Sequence, residues 1–468
     1  MESLSEKCWV LRKTSSKFSC IPIDQGHEQS NELVKASGGA VGLTENPKAF
    51  RRWMVAGPEQ ARLLTEFESQ FMEEENSWCK QHKQGLSAQD LFQKHANSMY
   101  QTMTDDFFLH ENHPWPPSIS EHGKLRLSNR KAELLSCLGG SFVEAPITFY
   151  AKIFDGPAVV HCLPTKVSTF EEYANEVFLP WTSQQLCLCD RIDIIWDQYV
   201  SGSLKESTKE KRGRGIRQKV QALRYHQFFF DFLQDNTNKA ELFEFLTQKV
   251  STHEYPSGKQ VYITSGKSVI CKGSNQPMQD CDHEEADTRI CIHLHNSLER
   301  GAHNILVSIV DTDVIVLLIS VYFQLNDAFS EFNVWVRFGT GNHMKFYDIN
   351  SICEHLGEVK SKGLPFFHAF SGCDTTLQFL ERGKNSAWEA WKAYPDVSEA
   401  FLFPLEHPYY ILQLGSSEMK LIERYVCVLY DKTTSLCTVN ELRKELFCKH
   451  SKTMETIPPT QCALLQHF

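Results

Sequence analysis

The chain has 468 residues, of which 41% are apolar and 23% are charged, as in ordinary globular proteins. Its formal net charge of −10 excludes a uniformly basic nucleic-acid-binding protein, so any such surface must be a local patch. The opening residues MESLSEKCWVLRK contain no apolar stretch typical of a secretory signal. We therefore expect the 16 cysteines to be free thiols in the cytosol or the nucleus.

Residues 1–146 are predicted to form a helical accessory region. The stretch NPKAFRRWMVAGPEQARLLTEFESQFMEE has helical spacing of its apolar residues, and LSNRKAELLSCLGG is typical of a short helix that ends at glycine. Between them, the prolines of HENHPWPPSISEHG indicate a loop.

From residue 147 onward, the pattern changes to strands separated by helical stretches. Short runs rich in β-branched and aromatic residues predict the strands: ITFYAKIF, DRIDIIW, ILVSIV, NVWVRF and HMKFYDI. Such alternation is typical of an α/β fold with a mainly parallel sheet flanked by helices. We assign residues 147–400 to this domain and residues 401–468 to a C-terminal helical extension.

The apolar run at residues 304–325 is not predicted to cross a membrane. Asp311 and Asp313 lie at its centre, where two carboxylates make a spanning helix very unfavourable. Its first part, ILVSIV, instead has the β-branched character of a buried parallel strand, so the two acids come where that strand ends.

Acidic residues recur where predicted strands end, which is the edge at which parallel sheets form their functional crevice. Glu285 and Asp287 lie in the first turns of a helix predicted to start near Asp282, and Asp374 follows the apolar segment FFHAF. Seven carboxylates from five segments are predicted to converge: Asp155, Asp197, Glu285, Asp287, Asp311, Asp313 and Asp374.

Such a cluster of like charges requires compensation, because carboxylates at short range repel strongly. Oxygen ligands without histidine or cysteine suit Mg²⁺ or Mn²⁺. We therefore expect two such ions, an arrangement that supports in-line attack on a phosphodiester.

The ordered motifs FDGPAVV, IIWDQY, EEAD, DTD and FSGCD resemble those of the flap endonuclease/XPG class of structure-specific 5′ nucleases, which have a PIN-like fold. The resemblance covers residues 147–400, is that of a divergent member, and is compatible with descent from a mobile element. It implies that all seven acids bind metal and that the substrate is DNA or RNA, either branched or single-stranded.

A basic segment, SLKESTKEKRGRGIRQK, follows the second aspartate. The family holds the scissile phosphate with a lysine and an arginine seven residues apart, and Lys205 and Arg212 match them. These two residues share a helix face at that spacing. The resemblance extends nucleic-acid binding to further cations: Lys209, Lys211, Arg214, Arg217 and Lys384.

Several alternatives stay open at this level. Asp374 in GCDTT also suits a turn or helix cap, and Glu284 would share a helix face with Asp287 better than Glu285 does. The family's GIGPK motif is missing around Lys384. A catalytically inactive module that binds nucleic acid or protein is the main rival, and a DDE-type transposase core ranks last because it leaves EEAD and GCD unexplained.

Overall fold

A computed structural model of the chain describes residues 62, 108–111, 115–128, 130–139, 148–199, 217, 219–220, 229–341, 344–450 and 452–468. Its contacts group the chain into two units, one made of Met1–Ser118 and Ser435–Leu464 and the other of Ile119–Thr434 and Leu465–Phe468. The second unit contains the sheet together with the described part of residues 119–139 and the helices between residues 401 and 434.

The strands of the second unit form a small hairpin and one large sheet. In chain order they are β1 Ser120–Glu121, β2 Lys124–Leu125, β3 Ala151–Asp155, β4 Arg191–Ile195, β5 Gln260–Ser265, β6 Ser268–Lys272, β7 Asn304–Ile309, β8 Asn333–Phe338 and β9 Lys345–Asp348.

The large sheet has seven strands in the order β6-β5-β4-β3-β7-β8-β9. Its five central strands are parallel, and the edge strands β6 and β9 pair antiparallel with their neighbours. The α/β class and the mainly parallel sheet are therefore confirmed. The hairpin of β5 and β6 was missed, although QVYITS and SVICK, joined by a Gly-Lys turn, carry the composition of a hairpin.

The described helices alternate with the strands up to β9 and then follow one another. In chain order they are α1 Glu133–Cys137, α2 Gly156–Cys162, α3 Phe170–Glu172, α4 Leu179–Leu186, α5 Phe229–Phe232, α6 Asn236–Thr252, α7 Ala286–Glu299, α8 Thr312–Ala328, α9 Ile349–Leu356, α10 Glu358–Phe370, α11 Lys384–Ala393, α12 Val397–Glu406, α13 Ser417–Tyr430, α14 Val439–His450 and α15 Gln461–His467. A π-helical segment, Tyr173–Phe178, joins α3 to α4.

Aromatic side chains hold the helices of the second unit to the sheet and to one another. Trp196, just beyond β4, stacks on Phe243 of α6 with ring centroids 4.3 Å apart, and its indole Nε1 donates to Thr247 Oγ1 at 2.9 Å. Phe367 of α10 stacks on Trp391 of α11 with centroids 4.8 Å apart. These contacts pin the end of β4 and the end of α10, both of which lie next to predicted acids.

The described part of the first unit has its own polar core. Arg443 of α14 is fully buried, and its guanidinium donates to the carbonyl of Pro458 and to Glu111. Glu111 also accepts from the backbone amide of Thr460 at 2.7 Å. Among the described residues, no helix of either unit has the length and apolar character needed to cross a membrane.

Candidate metal centre

The predicted acids lie at the carboxyl edge of the sheet, where the strand order reverses. Strand β3 is parallel to both neighbours, with β4 on one side and β7 on the other. The chain runs from β3 outward through β4 and β5, and then returns to add β7 and β8 on the other side. Ligand sites in open α/β sheets lie beyond such a reversal. Asp155 is the last residue of β3, and Asp197 and Asp311 follow the ends of β4 and β7.

The FDGP segment brings the ends of β3 and β4 close together. Asp155 caps α2 by accepting a hydrogen bond from the backbone amide of Ala158 at 3.3 Å. A Cβ atom on Gly156 would lie 2.2 Å from the Trp196 ring and 2.8 Å from the carbonyl oxygen of Ile195. Only glycine therefore allows the start of α2 to approach the end of β4 so closely.

The start of α7 is held over the end of β4 by side chains from both segments. Asp197 Oδ1 accepts from the backbone amide of Ala286 at 3.0 Å, which satisfies one of the amides left open at the helix N-terminus. The buried guanidinium of Arg289 donates to the carbonyl of Trp196 at 3.1 Å. Asp197 therefore stabilises the helix that carries Asp287.

The predicted start of this helix, near Asp282, differs from the observed one. The helix begins at Ala286, and Glu285 is its N-cap residue with extended backbone angles. The divergence of side chains two residues apart on a regular helix therefore does not apply to Glu285 and Asp287. Together with burial, the charge of Glu285 contributes to raising the pKa of Asp287.

Three aspartates from two segments come close enough to share one ion. Asp287, Asp311 and Asp313 each offer a carboxylate oxygen, and these oxygens lie within 4.8 Å of one another. Asp311 also caps α8 by accepting from the backbone amide of Asp313 at 2.9 Å. Because all donors are carboxylate oxygens, the set fits a hard divalent ion such as Mg²⁺ or Mn²⁺.

The carboxyl group of Asp287 shows how closely the acids approach. Burial, together with the charges of Asp311, Asp155, Glu285 and Asp197, raises the pKa of Asp287 to about 8. A carboxyl group with this pKa is largely protonated at neutral pH unless a cation joins it.

A lysine from the accessory region, Lys131, supplies positive charge that the sequence analysis did not foresee. Its Nζ atom donates to Asp311 Oδ1 at 2.7 Å, to Asp313 Oδ1 at 3.2 Å and to Asp374 Oδ2 at 2.9 Å. Burial alone would lower the pKa of Lys131, but its hydrogen bonds to Asp311 and Asp374 raise it above the ordinary value. Lys131 therefore supplies positive charge to this half of the site from within the chain.

A histidine that the sequence analysis also missed orients Asp313. His368 Nε2 lies 3.0 Å from Asp313 Oδ1, and its side chain is only 6% exposed. Burial lowers the pKa of His368, so the neutral ring donates from Nε2. Burial would raise the pKa of Asp313, but the hydrogen bond from His368 and the charge of Lys131 lower it to about 2. The sequence feature that could have indicated His368 is its position six residues before Asp374 in the segment HAFSGCD.

Asp374 does not face the apolar side chains that precede it in sequence. Phe367 and Phe370 are buried, whereas the side chain of Asp374 is 47% exposed and reaches Lys131. The turn itself is closed by Thr376, whose hydroxyl donates to the carbonyl of Ala369 at 2.6 Å and accepts from the amide of Cys373 at 2.9 Å. The hydroxyl of Thr376 therefore closes this turn.

The predicted nucleic-acid contacts are only partly described. Lys205, Lys209, Lys211, Arg212 and Arg214 lie outside the described residues. Arg217 donates to Asn238 Oδ1 at 2.7 Å and to Glu241 Oε1 at 2.5 Å, both on α6. Lys384 is 1% exposed, and its Nζ atom donates to the carbonyl of His368 at 2.5 Å and to Ser371 Oγ at 2.9 Å. Lys384 therefore stabilises the end of α10 from within and is not accessible to a polynucleotide.

The structure thus brings the seven predicted acids into one region through two overlapping sets. Burial and the charges of Asp155, Asp197, Glu285 and Asp311 raise the pKa of Asp287. Lys131 forms ion pairs with Asp311, Asp313 and Asp374. Asp311 belongs to both sets. Comparison of the sequence with models of known protein families and with curated proteins yields no match. The family resemblance therefore rests on the motifs themselves.

Proposed function

We propose that this protein is a divalent-metal-dependent nuclease of the PIN-like, flap-endonuclease-related class, which hydrolyses phosphodiester bonds of DNA or RNA. The supporting observation is the approach of Asp287, Asp311 and Asp313 to within 4.8 Å at the carboxyl edge of a parallel sheet. A fold that serves only to bind a partner does not need such a concentration of partly buried negative charge.

The residues of the chain have separate tasks in this proposal. Asp287, Asp311 and Asp313 hold the metal, and Asp155, Asp197 and Glu285 surround Asp287. A bound Mg²⁺ or Mn²⁺ would supply an activated water and charge stabilisation for the phosphoryl group. His368 positions Asp313 by donating from Nε2. Lys205 and Arg212 would hold the scissile phosphate, by the resemblance.

Labelled nucleic acids test this proposal directly. Purified full-length protein is incubated with flap, single-stranded and hairpin substrates of DNA and of RNA, with Mg²⁺ or Mn²⁺ and, as the control, with EDTA. Cleavage of at least one substrate that depends on the metal is the expected result. Absence of cleavage across the panel, with a correctly folded protein, contradicts the proposal.

A catalytically inactive binding module is the second candidate, and one observation favours it. Lys131 already neutralises part of the acid cluster without any metal, as an inactive descendant of a metal site would require. Calorimetric titration with Mn²⁺ separates the two candidates. Micromolar to millimolar binding favours the nuclease, and no binding favours the inactive module.

A further inference from the structure

The Lys131 ammonium has the coordination of a built-in cation. A lysine ammonium has three N–H donors. Here three carboxylates accept from it, at 2.7 Å from Asp311, 3.2 Å from Asp313 and 2.9 Å from Asp374. These acids come from two segments, one after β7 and one after α10, so the lysine joins the segments as a bridging metal ion would.

The backbone around Lys131 is tied to the segment that carries Asp374. Leu127 forms a β-bridge with Leu377, and the amide of Gln378 donates to the carbonyl of Arg126 at 2.6 Å. Lys131 itself accepts at its carbonyl from the amide of Leu134, at the start of α1. These backbone bonds fix the segment that carries Lys131, and the lysine side chain is only 17% exposed. The ammonium therefore has a defined position beside the three acids.

The candidate metal group shares two of its three acids with Lys131. Asp287 offers a carboxylate oxygen within 4.8 Å of oxygens of Asp311 and Asp313, and the charges of four other carboxylates act on it. A divalent ion next to Asp287 and an ammonium next to Asp374 would divide the positive charge between the two ends of the cluster, with Asp311 between them.

We propose that Lys131 takes the position that a second metal ion has in two-metal sites, so that the site binds one divalent ion and uses the lysine as its other cation. This inference rests on the proposed nuclease function. It assigns Lys131 as the fixed positive charge on the Asp374 side of the site, where an ammonium offsets the negative charge of the three carboxylates it contacts.

The number of Mn²⁺ ions bound per chain tests this inference. We expect one ion for the wild-type protein, two for Lys131→Met and Lys131→Gln, which remove the charge, and one for Lys131→Arg, which keeps it. The matched control is Lys166→Met, because Lys166 is an exposed lysine outside the cluster. Binding is followed by calorimetry and by metal analysis after equilibrium dialysis. The dialysis measurement also gives the number of bound ions for a variant that folds only in the presence of metal.

Stability and cleavage provide independent readouts. In EDTA, Lys131→Met leaves three carboxylates without their shared cation, so its melting temperature falls below that of the wild type, and Mn²⁺ raises it by more than it raises that of the wild type. Its cleavage, where retained, requires a higher Mn²⁺ concentration. Two ions in the wild type, or one ion in both charge-removing variants, would overturn the inference and leave the nuclease proposal standing. No Mn²⁺ binding together with no cleavage would overturn both.

Discussion

Lys131 Nζ lies 2.7 Å from Asp311 Oδ1, although 180 positions separate the two residues in the sequence. This ion pair connects the segment before the sheet to the N-cap of α8, which follows strand β7. It is mostly shielded from solvent, with the lysine 17% and the aspartate 33% exposed. A pair in this setting is screened less by salt than a surface pair. The segment around Lys131 is therefore an integral part of the candidate site.

Asp311→Asn is expected to lower metal-dependent cleavage at least about 100-fold, since even loss of an outer ligand contact weakens metal binding about 10–100-fold. Asparagine is also a good N-cap, so the fold should persist. The matched control is Asp348→Asn, because Asp348 caps α9 in the same way, accepting from the amide of Ser351 at 3.1 Å, but belongs to a different strand end. Equal losses of cleavage in the two variants would contradict the role of Asp311.

His368→Leu is expected to weaken Mn²⁺ binding by about 10–100-fold, because Asp313 loses the donor that orients it. His368→Gln places an amide nitrogen near the position of Nε2 and should recover most of the affinity. Calorimetric titration of both variants, with circular dichroism to verify folding, provides the measurement. If leucine and glutamine weaken binding equally, the hydrogen bond to Asp313 has no part in metal binding.

The pH dependence of stability should report on Asp287. Its pKa of about 8 in the folded protein lies above the value of about 3.9 in unfolded chains. Between these values the folded state binds more protons than the unfolded state, so this group makes the metal-free protein less stable as pH rises from about 4 to about 8. Asp287→Asn removes that loss.

Thermal unfolding in EDTA at several pH values tests this prediction. The melting temperature of Asp287→Asn should exceed that of the wild type near pH 8, by roughly 1–2 °C for each kcal/mol recovered, and the two should agree near pH 4. Melting temperatures that differ by a constant amount at all pH values would show that the carboxyl group of Asp287 titrates normally.

Gly156→Ala is expected to destabilise the protein by about 1–3 kcal/mol, because the added methyl group would lie 2.2 Å from the Trp196 ring and force a shift. Gly363→Ala is the matched control, since its Cβ would make ordinary contacts at 3.5 Å with Phe401, and alanine favours the interior of α10 by about 1 kcal/mol. Urea unfolding compares the two. A Gly156→Ala protein as stable as the wild type would show that the β3 and β4 ends tolerate separation.

The sequence alone was sufficient to predict the α/β class and the strand ends that carry acids. Runs such as ILVSIV and DRIDIIW are short, rich in β-branched residues, and followed directly by aspartate, and these features depend on local order in the chain. The start of α7 was misplaced by several residues because Asp282, Glu284 and Glu285 all favour a helix N-terminus, and the choice among them came from Asp197, which caps Ala286.

Only the tertiary structure determined what surrounds those acids. Lys131 belongs to a short predicted helical segment whose pattern predicts no contact with residues 311–374, and His368 occurs in an apolar segment where a core role is the ordinary expectation. Lys384 was expected to contact nucleic acid but is buried against the end of α10. Their partners depend on how the segments pack, which involves contacts between residues far apart in the chain. The positions of the negative charges were thus predictable from local sequence. The cation that balances them was determined by long-range packing, because side chains so distant in sequence meet only when the chain folds.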